Sequence, residues 1–513
     1  MNFKIKTVHF AVVILLSSCH SALKTTTDTG NGNLYNQVIA HRGAWKKNGL
    51  PENSVASLRE AIRLQCAGSE FDVRMTADDS LVINHDPHYN NLEIEKTNYT
   101  DLARFSLSNG EKLPTLREYI LAGLKDNSRT KLICEIKPSG ISKERARAIA
   151  AKTAHLFSEL KAVRQVIYIS FDYDILKQVL STDPGANTQY LNGDKSPEQL
   201  KADGIKGADY HYSVFKSKPE WIASAKKNRI DLNAWTVNDA ADMDWLLANG
   251  FDAITTNEPE LLFEQARKSP AANGWALHWS DEFNYTGLPD ETKWKFETGG
   301  HGWGNHELQY YTDRDTGNAF VKDGLLRITA LKKQFDKNGC TSAKLITRGK
   351  KLFQYGRIEV RAKLPAGRGT WPAIWMLGDN IDKADWPACG EIDIMEHVGF
   401  KKDSIFGSIH TKAYNHVAGT QTTKGMFIRD PYTSFHTYSV EWTPEKISFF
   451  FDDQHYLDFS NQHKTTDEWP FDAPFYLILN LAVGGDWGGQ QGVDDSIFPA
   501  TLFVDYVRVY QKR

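Results

Sequence analysis

The chain has 513 residues, more than the about 100–250 residues of most single domains, and this length predicts two domains. Hydrophobic residues make up 41% and charged residues 24%, which excludes a mostly disordered chain and a membrane protein of many spans. The formal net charge of −3 excludes a strongly basic surface, so no nucleic-acid partner is expected.

The tryptophans are unevenly distributed, because ten of the 14 follow residue 270. This imbalance predicts two unlike halves. Flat aromatic rings stack on sugars, but they also fill the cores of β-sheets. We assign most of the ten to a core.

The first 36 residues have the pattern of an export signal followed by a tether. Lys4 and Lys6 precede a short apolar stretch, which is typical of a secretory signal rather than a membrane span. The run from Leu16 to Cys19 resembles a bacterial lipoprotein signal. That resemblance implies a signal peptide at 1–19, a lipid on Cys19, and an exported protein anchored by lipid alone at the periplasmic face or cell surface. An ordinary signal peptide with an incidental cysteine is the alternative. Residues 20–36 are predicted to be a flexible tether.

The other four cysteines show no metal-like spacing. Cys66 and Cys134 lie in a predicted helix and strand, so buried free thiols are at least as well supported there as disulfides. Whether Cys340 and Cys389 form a disulfide stays open.

Residues 37–265 alternate between short apolar runs and helical patterns, which predicts a parallel β/α barrel. A doubly wound open sheet is the alternative. The predicted strands include 38–40, 71–73, 81–83, 132–134, 166–169, 232–235 and 251–254, and the predicted helices include 54–64, 143–160 and 240–248.

Charged side chains cluster where the first four predicted strands end. In a barrel these ends open onto one mouth, and burying so many charges without a role is costly. Three carboxylates suit a hard divalent cation, an arginine and a lysine suit phosphate oxygens, and two histidines suit acid–base catalysis. The set therefore predicts phosphoryl transfer. Its members are His41, Arg42, Glu70, Asp72, His85, Glu135 and Lys137.

Five motifs in this half resemble the glycerophosphodiester phosphodiesterases: His41-Arg42-Gly43, Pro51-Glu52-Asn53, Glu70-Phe71-Asp72, His85-Asp86 and Glu135-Ile136-Lys137. The resemblance implies a TIM barrel and a glycerophosphodiester substrate. The glycerol hydroxyl attacks phosphorus in that family, giving a cyclic phosphate. It also implies a divalent cation (Ca²⁺ or Mg²⁺) on Glu70, Asp72 and Glu135, with Glu52 nearby. His41 and His85 become the acid–base pair, and Arg42 and Lys137 become phosphate contacts. One departure is Asn257, where an aspartate is commoner.

Residues 266–274 are small and polar and are predicted to be a linker. From residue 275 to 513 the pattern changes to alternating apolar and polar residues, which predicts an all-β sandwich. The alternating runs include 325–330, 356–363, 437–442, 447–451, 476–480 and 503–510.

The stretch Gly390–His397 carries three acidic residues on one predicted strand. Glu391 and Asp393 share a face, and a β-bulge near Met395 brings Glu396 back to it. Two glutamates so placed fit the ~5 Å spacing of a retaining glycosidase, and Asp393 between them separates their pKa values. An ordinary sandwich strand with one solvated acidic face fits the spacing equally well.

Residues 390–397, together with 369–377, 305–312, 355–361 and 505–510, resemble glycoside hydrolase family sixteen, in its laminarinase branch of endo-1,3-β-glucanases. The resemblance implies a β-jelly roll with an open cleft. Glu391 becomes the nucleophile, Glu396 the acid/base and Asp393 the assisting carboxylate. Trp371 and Trp375 become sugar platforms, and Asn305, Arg357 and His410 become cleft contacts. A structural Ca²⁺ is implied near Glu282, Gly324 and Asp505.

Together these patterns predict an exported, bifunctional hydrolase of β-glucans and glycerophosphodiesters. A β-glucan that carries phosphoglycerol groups is a substrate that would use both halves. Two alternatives stay open: a glycan-binding lipoprotein with one inactive domain, and a C-terminal half that acts on a galactan, as agarases and carrageenases do.

Overall fold

The computed structural model of the protein describes residues 36–513. The predicted signal peptide, the lipidated Cys19 and nearly all of the predicted tether lie outside this range. Within it, no helix is long and apolar enough to cross a bilayer.

The first half is a closed barrel of eight parallel strands. It closes because β1 pairs with both β2 and β11. This closure fits a TIM barrel and excludes the open doubly wound sheet. The strands of this half are β1 (Val38–Ala40), β2 (Gly68–Met75), β3 (Leu81–Ile83), β4 (His88–Tyr89), β5 (Leu92–Glu93), β6 (Lys131–Ile136), β7 (Val166–Ser170), β8 (Thr188–Tyr190), β9 (Gly207–His211), β10 (Asp231–Trp235) and β11 (Ala253–Thr256).

One predicted barrel strand is wrong. The run at 81–83 forms β3, which pairs antiparallel with β2 and lies outside the closed ring. Sequence pattern alone did not distinguish it, because a short apolar run has the same appearance in either direction. His85 still reaches the barrel mouth, because it follows β3 directly.

The helices lie around the barrel, and several begin at side-chain caps. Ser54 caps α1, and Thr115 and Glu118 form a reciprocal capping box at α3, so local sequence sets where these helices begin. The helices are α1 (Val55–Arg63), α2 (Tyr99–Leu102), α3 (Leu116–Leu124), α4 (Lys143–Glu159), α5 (Tyr173–Thr182), α6 (Pro197–Ala202), α7 (Tyr212–Ser217), α8 (Glu220–Asn228), α9 (Ala240–Ala248), α10 (Pro259–Lys268) and, in the second half, α11 (Ile381–Ala384); short 3₁₀ turns occur at Ile94–Lys96, Pro270–Asn273 and Asp495–Ile497.

The second half consists mostly of antiparallel strands in two packed sheets, an arrangement compatible with a jelly roll. Its strands are β12 (Trp275–Asp281), β13 (Lys295–Phe296), β14 (Gln309–Tyr311), β15 (Ala319–Lys322), β16 (Leu325–Ala330), β17 (Cys340–Ser342), β18 (Lys344–Ile346), β19 (Gly356–Lys363), β20 (Thr370–Gly378), β21 (Glu391–Glu396), β22 (Ser404–His410), β23 (Thr422–Phe427), β24 (His436–Trp442), β25 (Lys446–Phe451), β26 (Gln454–Ser460), β27 (Phe475–Val483) and β28 (Ala500–Lys512).

We call the two sheets the outer sheet and the cleft sheet. The outer sheet runs β15-β16-β28-β19-β24-β25-β26, with β12 also paired to β28, and the cleft sheet runs β13-β18-β27-β20-β21-β22-β23. Alternate residues such as Ile358 and Val360 from the outer sheet meet Ile392 and Leu477 from the cleft sheet in one apolar core. The alternation seen in the sequence is therefore the alternation between this core and the two exposed faces.

The barrel packs against the outer sheet. Arg508 of β28 is buried and donates from Nε and Nη2 to the Glu282 carboxylate at 2.9 and 3.0 Å, while its Nη1 donates to Asp244 of α9. Ala248 of the barrel packs with Trp275 and Tyr510 of the sandwich. The cleft sheet, on the other side of the sandwich core, takes no part in these contacts.

The four described cysteines are free and buried, so Cys340 and Cys389 are not joined. Burial raises the pKa of the Cys66 thiol to about 12 and of the Cys340 thiol to about 11. Protonated, buried thiols behave as small apolar side chains.

Candidate active sites

The first candidate site lies at the mouth of the barrel. Its side chains converge because each follows or ends a parallel strand at the same edge of the closed sheet. They line a small cavity of about 140 Å³. The predicted residues that line it are His41, Arg42, Glu70, His85, Glu135 and Lys137.

Three carboxylates form the base of this mouth. Glu70, Asp72 and Glu135 are buried, and each offers an oxygen within 4.8 Å of the others. Burial raises the pKa of Glu70 well above its ordinary range, and the charges of Asp72 and Glu135 add to the effect. A compact cation among the three would offset that repulsion.

Lys137 already contributes one positive charge there. Its Nζ lies 2.8 Å from Asp72 Oδ1 and 2.6 Å from Glu135 Oε1. Burial by itself would raise the pKa of Asp72, but the Lys137 ammonium reverses the effect and lowers that pKa to about 2. Lys137 therefore keeps at least one carboxylate ionised and ready to bind a metal.

The residues present fit a divalent cation. Oε1 of Glu70 is buried and has no hydrogen-bond partner among the described residues, and an unpartnered buried carboxylate oxygen is costly. All three donors are hard oxygens, which Ca²⁺ and Mg²⁺ prefer. The identity of the ion stays a prediction.

Glu52 lies near the three carboxylates but outside their cluster. Its Oε2 accepts from Arg42 Nη1 at 2.6 Å, and its side chain is 39% exposed. Glu52 belongs to the loop between β1 and α1 and faces Arg42, while the cluster lies on β2 and β6. A contribution of Glu52 to metal binding stays a prediction.

Arg42 lies between Glu52 and the carboxylates. Its backbone N–H donates to Glu70 Oε2 at 2.8 Å, and its Nε lies 3.7 Å from Asp72 Oδ2. Its backbone φ is +56°, in the left-handed region that non-glycine residues seldom occupy. That conformation turns both the amide and the guanidinium toward the mouth.

The two histidines line the same cavity. His41 Nδ1 lies 2.7 Å from Asn257 Oδ1, so an Nδ1–H that donates to the amide oxygen leaves Nε2 as the acceptor. Burial lowers the pKa of His41, which favours the neutral ring that a base requires. His85 Nδ1 lies 2.7 Å from Asp86 Oδ1. Asn257, the departure noted in the sequence, thus takes over the orienting role of a carboxylate.

The second candidate site lies on strand β21 of the cleft sheet. The pairing register with β20 skips a residue, because Met395 pairs with Ile374 while Asp393 pairs with Trp375. Ile394 is the extra residue of a β-bulge, which lies where the sequence predicts one. The bulge returns Glu396 to the face that carries Glu391 and Asp393, and all three line one cavity.

Burial controls the protonation of these acids. Burial raises the pKa of Glu391 well above its ordinary range, and it raises the pKa of both Asp393 and Glu396 to about 8. The neighbouring Asp393 charge raises the pKa of Glu391 and of Glu396 further. Carboxyl groups with such pKa values can hold a proton at neutral pH and release it during a reaction.

His410 lies beside the acids, as predicted. Its Nε2 lies 3.3 Å from Asp393 Oδ2 and 3.8 Å from Glu391 Oε1. The strand pairing explains this position, because Glu391 lies directly opposite His410 on β22.

The two predicted platforms are held by hydrogen bonds. Trp371 Nε1 donates to Glu396 Oε1 at 3.1 Å, and Trp375 Nε1 donates to Asn480 Oδ1 at 2.8 Å. Lys344 Nζ lies 5.1 Å from the centre of the Trp375 ring. Both indoles line the cavity with the acids, and their polar ends are fixed before any ligand arrives.

Several residues of the cleft were missed in the sequence. Glu307 lines the cavity beside the predicted Asn305, and burial raises its pKa. Trp386 packs on His416 with ring centres 4.9 Å apart, and Trp487 meets Trp371 edge-on at 5.8 Å. The density of tryptophans in this half was the available signal, but it did not say which of them leave the core.

Arg357 does not lie in the cleft, contrary to the prediction. It belongs to β19 of the outer sheet and faces away from the core. There it donates to Glu359 at 3.0 Å and also to Glu441 and Asp453. The resemblance alone placed Arg357 in the cleft, but the strand order puts β19 in the outer sheet.

The predicted calcium positions have other side-chain partners in the structure. Glu282 binds Arg508, and Asp505 pairs with Arg361. Gly324 lies in the turn between β15 and β16, with φ +75°. The acidic clusters suited to a metal among the described residues are the two at the barrel mouth and on β21. A structural calcium stays a prediction.

Three family models match parts of the sequence. The model described as "Glycosyl hydrolases family 16" matches residues 303–506, and "Glycerophosphoryl diester phosphodiesterase family" matches residues 41–261. A model described as "Beta-glucan synthesis-associated protein SKN1/KRE6/Sbg1" matches residues 210–392, across the junction of the two halves.

Individual proteins of known activity are similar to part of the chain. A beta-glucanase of Rhodothermus marinus is 56% identical over 251 residues, which are 48% of this chain and 88% of the relative. Glucan endo-1,3-beta-glucosidase A1 of Niallia circulans is 40% identical over 270 residues, which are 48% of this chain and 39% of that longer relative. The X-ray structure of the laminarinase from Rhodothermus marinus is 55% identical and covers 46% of this chain and 97% of its own, with a TM-score of 0.45.

Proposed function

We propose that the chain is a bifunctional hydrolase. It belongs to glycosyl hydrolase family 16 through its second half, and residues 41–261 match the model of the glycerophosphoryl diester phosphodiesterase family. The sandwich cuts internal β-1,3 bonds of a laminarin-like glucan with retention of configuration. The barrel cleaves a glycerophosphodiester.

The bulged strand β21 carries the glucanase proposal. Glu391 attacks the anomeric carbon while Glu396 gives its proton to the departing glycosidic oxygen. Glu396 then takes a proton from water, and the resulting hydroxide releases the sugar from Glu391. The raised pKa of Glu396 keeps that proton available at neutral pH, and Asp393 and His410 share the charge that moves between the two glutamates.

Replacing each glutamate by glutamine tests this assignment. We expect the Glu391→Gln and Glu396→Gln variants to lose at least about 10³-fold in kcat on laminarin while phosphodiesterase activity is unchanged. Product configuration followed by NMR should show the β-anomer first. An α-anomer as the first product would contradict the retaining mechanism, and release of only small end products would contradict internal cleavage.

The second proposal follows from the barrel mouth. His41 accepts the proton of a glycerol hydroxyl, which attacks phosphorus, and His85 donates a proton to the departing alcohol. Arg42 and Lys137 lie where they can bind the remaining phosphate oxygens. A divalent cation held by Glu70, Asp72 and Glu135 would supply positive charge to the phosphate when bound.

Glycerophosphocholine and the His41→Ala variant test the barrel. We expect the wild-type chain to release choline in the presence of Ca²⁺ or Mg²⁺, the variant to lose at least about 10²-fold, and laminarin hydrolysis to stay unchanged in the variant. No hydrolysis of glycerophosphocholine with either cation would favour the alternative in which this half only binds its ligand.

A β-glucan that carries phosphoglycerol groups is the substrate that would use both sites. We propose in addition that the chain is exported and anchored by lipid at the periplasmic face or cell surface. The presence of both domains in one chain supports this proposal. Digestion of phosphoglycerylated and plain glucan by the Glu391→Gln and His41→Ala variants tests it. We expect the first variant to release only phosphate esters from the decorated glucan, and the second to cut the plain glucan better. Equal backbone cleavage of both glucans without release of phosphate ester would contradict it.

A further inference from the structure

Of the seven residues in the predicted phosphoryl-transfer set, His85 is the one that neither belongs to a strand of the closed ring nor directly follows one. It follows β3, which lies outside the ring, and residues 84–87 form neither a helix nor a strand. Its side chain is 39% exposed, whereas Glu70 and Asp72 on β2 are buried. A general acid acts only from within hydrogen-bond reach of the oxygen that it protonates. A contact outside the barrel ladder must therefore hold His85 in place.

Strand β2 provides that contact because it extends past the ring. Residues 68–73 of β2 pair with β6 in the barrel, and residues 73–75 pair with β3. Arg74 lies on this extension. Side chains alternate between the two faces of a strand, so Arg74 shares a face with Glu70 and Asp72 and lies nearer to the carboxyl end, where the mouth is. The guanidinium group is thus carried by the same strand as two of the predicted metal ligands.

Arg74 binds the backbone of His85 through two donors. Its Nε and Nη2 both donate to the carbonyl oxygen of His85, at 3.0 and 2.6 Å. A planar guanidinium that donates twice to one oxygen restricts that oxygen in direction as well as in distance. Asn84, one residue earlier, donates from its backbone N–H to the Asp72 carbonyl oxygen at 3.0 Å. The two contacts tie the segment that carries His85 to β2.

The imidazole ring of His85 has a separate partner. Its Nδ1 lies 2.7 Å from Asp86 Oδ1, so Nε2 is the ring nitrogen left for the substrate. Arg74 itself is half-buried and is not among the residues that line the cavity, where Arg42 and Lys137 supply the positive charges. Arg74 is therefore placed to hold His85 rather than to bind the phosphate.

We propose that Arg74 is a positioning residue of the phosphodiesterase, which holds the backbone of His85 where the imidazole can give a proton to the departing alcohol. This inference rests on the proposed phosphodiesterase function. In that reaction the glycerol hydroxyl loses its proton to His41, and its oxygen bonds to phosphorus. The bond between phosphorus and the departing oxygen breaks, and this oxygen takes the proton of His85. Arg74 contacts none of the reacting atoms and acts through His85.

Two substrates that differ only in the departing alcohol separate a role through His85 from a general role in folding. Glycerophosphocholine releases choline, a weakly acidic alcohol whose oxygen needs a proton as it leaves. The 4-nitrophenyl ester of sn-glycerol 3-phosphate releases 4-nitrophenolate, which is stable without a proton. Loss of the acid should therefore slow the choline ester far more than the nitrophenyl ester. We define the acid ratio as kcat/KM for the choline ester divided by kcat/KM for the nitrophenyl ester.

Variants of the full chain test the role of the two donors. We expect Arg74→Met to lower kcat/KM for the choline ester by about 10–100-fold, because a small displacement of a catalytic group has a cost of that size. The nitrophenyl ester should lose less than about threefold, so the acid ratio falls. Arg74→Lys keeps one donor and should recover part of the ratio. His85→Ala should lower the ratio at least as far, whereas His41→Ala should slow both esters because both need the base.

A double variant and a control locate the effect. If Arg74 acts through His85, Arg74→Met adds no further loss on the choline ester in the His85→Ala background. Arg59 of α1 is the matched control, because it also donates to a backbone carbonyl, that of Lys125 at 2.8 Å, and does not line the cavity. We expect Arg59→Met to keep the acid ratio of the wild-type chain. Hydrolysis of the nitrophenyl ester by the same molecules reports that the barrel is folded.

The outcomes are distinct. An acid ratio in Arg74→Met equal to that of the wild-type chain overturns the positioning role, and so does a further loss in the double variant. If Arg74→Met hydrolyses neither ester, Arg74→Lys decides, since one ammonium group does not replace two guanidinium donors: a lowered ratio supports the role, and an unchanged ratio overturns it. Failure of the wild-type chain to hydrolyse either ester with Ca²⁺ or Mg²⁺ overturns the proposed function and the positioning role with it.

Discussion

At the scale of single residues, protonation of three neighbouring carboxyl groups controls the glucan cleft. Glu396 must hold a proton to release the leaving sugar, and Glu391 must lack one to attack. Burial, and after it the charge of Asp393, raise the pKa of both, which keeps the proton on Glu396. The hydrogen bond from Trp386 and the contact with His410 act against that rise at Glu391 and favour the ionised form that the attack requires.

This arrangement predicts how glucanase activity depends on pH. Because the pKa of Glu396 is raised to about 8, its proton is present below that value, and kcat should fall as the pH rises through about 8. Asp393→Asn removes a negative charge that raises this pKa, so it should move the alkaline limb to lower pH. Asp453→Asn, on the outer sheet, is the control and should leave the profile unchanged. An alkaline limb that stays in place in Asp393→Asn would falsify the assignment.

A second residue-scale prediction concerns Asn257, which orients His41 through a 2.7 Å contact. We expect Asn257→Leu to lower phosphodiesterase kcat by about 10–100-fold, as loss of an orienting partner often does, and Asn257→Asp to restore most of it. Asn238→Leu is a poor control because Asn238 binds the backbone of Asn257, so Asn48→Leu on the exposed surface serves instead. Equal activity of Asn257→Leu and wild type would show that His41 needs no such partner.

At the scale of secondary-structure elements, one extra residue in β21 decides which face Glu396 occupies. Five positions separate it from Glu391, and a regular strand would send the two to opposite faces. The bulge at Ile394 absorbs the odd residue, while Glu396 keeps its pairing with Ala373 and Phe406. A shift of one residue in pairing is thus the difference between an active cleft and an acidic strand.

Deleting Ile394 tests this account. The deletion leaves the two glutamates four positions apart, so a regular ladder again puts both on the cleft face. We expect the deletion variant to retain measurable laminarin hydrolysis, about 10–10³-fold below wild type, because the spacing of the acids shortens. The matched control is Ile394→Ala, which keeps the bulge and loses the same buried side chain, at a cost of about 2–4 kcal/mol in stability. A folded deletion variant as inactive as Glu396→Gln would contradict it.

At the scale of the whole molecule, the barrel packs against β12 and β28 of the outer sheet. Arg508 is the centre of that junction, because it joins Glu282 of the sandwich to Asp244 of the barrel and lies 3.7 Å from the Tyr506 ring centre. An arginine with two carboxylate partners is well suited to a buried junction. The contacts between the two halves therefore lie on the side of the sandwich that is opposite to the glucan cleft.

The contacts of Arg508 predict that the barrel and the sandwich unfold together. We expect Asp244→Ala to lower stability by about 1 kcal/mol and to separate the temperatures at which the two activities are lost, since Arg508 then holds only Glu282. Asp242→Ala removes an ion pair with Lys216 within the barrel and is the matched control. Asp242→Ala should lower only the temperature at which phosphodiesterase activity is lost. Loss of both activities at one unchanged temperature in Asp244→Ala would show that the junction does not depend on this contact.

The sequence by itself predicted the closed β/α barrel, the mostly antiparallel second half and most of the residues that the structure brings together at the two candidate sites. Alternation with period two and strand–helix alternation are local properties, and they follow from which face of each element is buried. The clusters at strand ends were visible for the same reason. The odd spacing of Glu391 and Glu396 within one strand also predicted a bulge near Met395, and the structure has it one residue earlier, at Ile394.

Only the tertiary structure decided which strands become neighbours. Position along the chain does not reveal that β3 lies outside the barrel, that Arg357 faces away from the cleft, or that Glu52 pairs with Arg42. Nor does it bring Asp244 to Arg508. These contacts join residues far apart in the chain, and they depend on sheet order and register, which are set by packing of the whole core rather than by any local pattern.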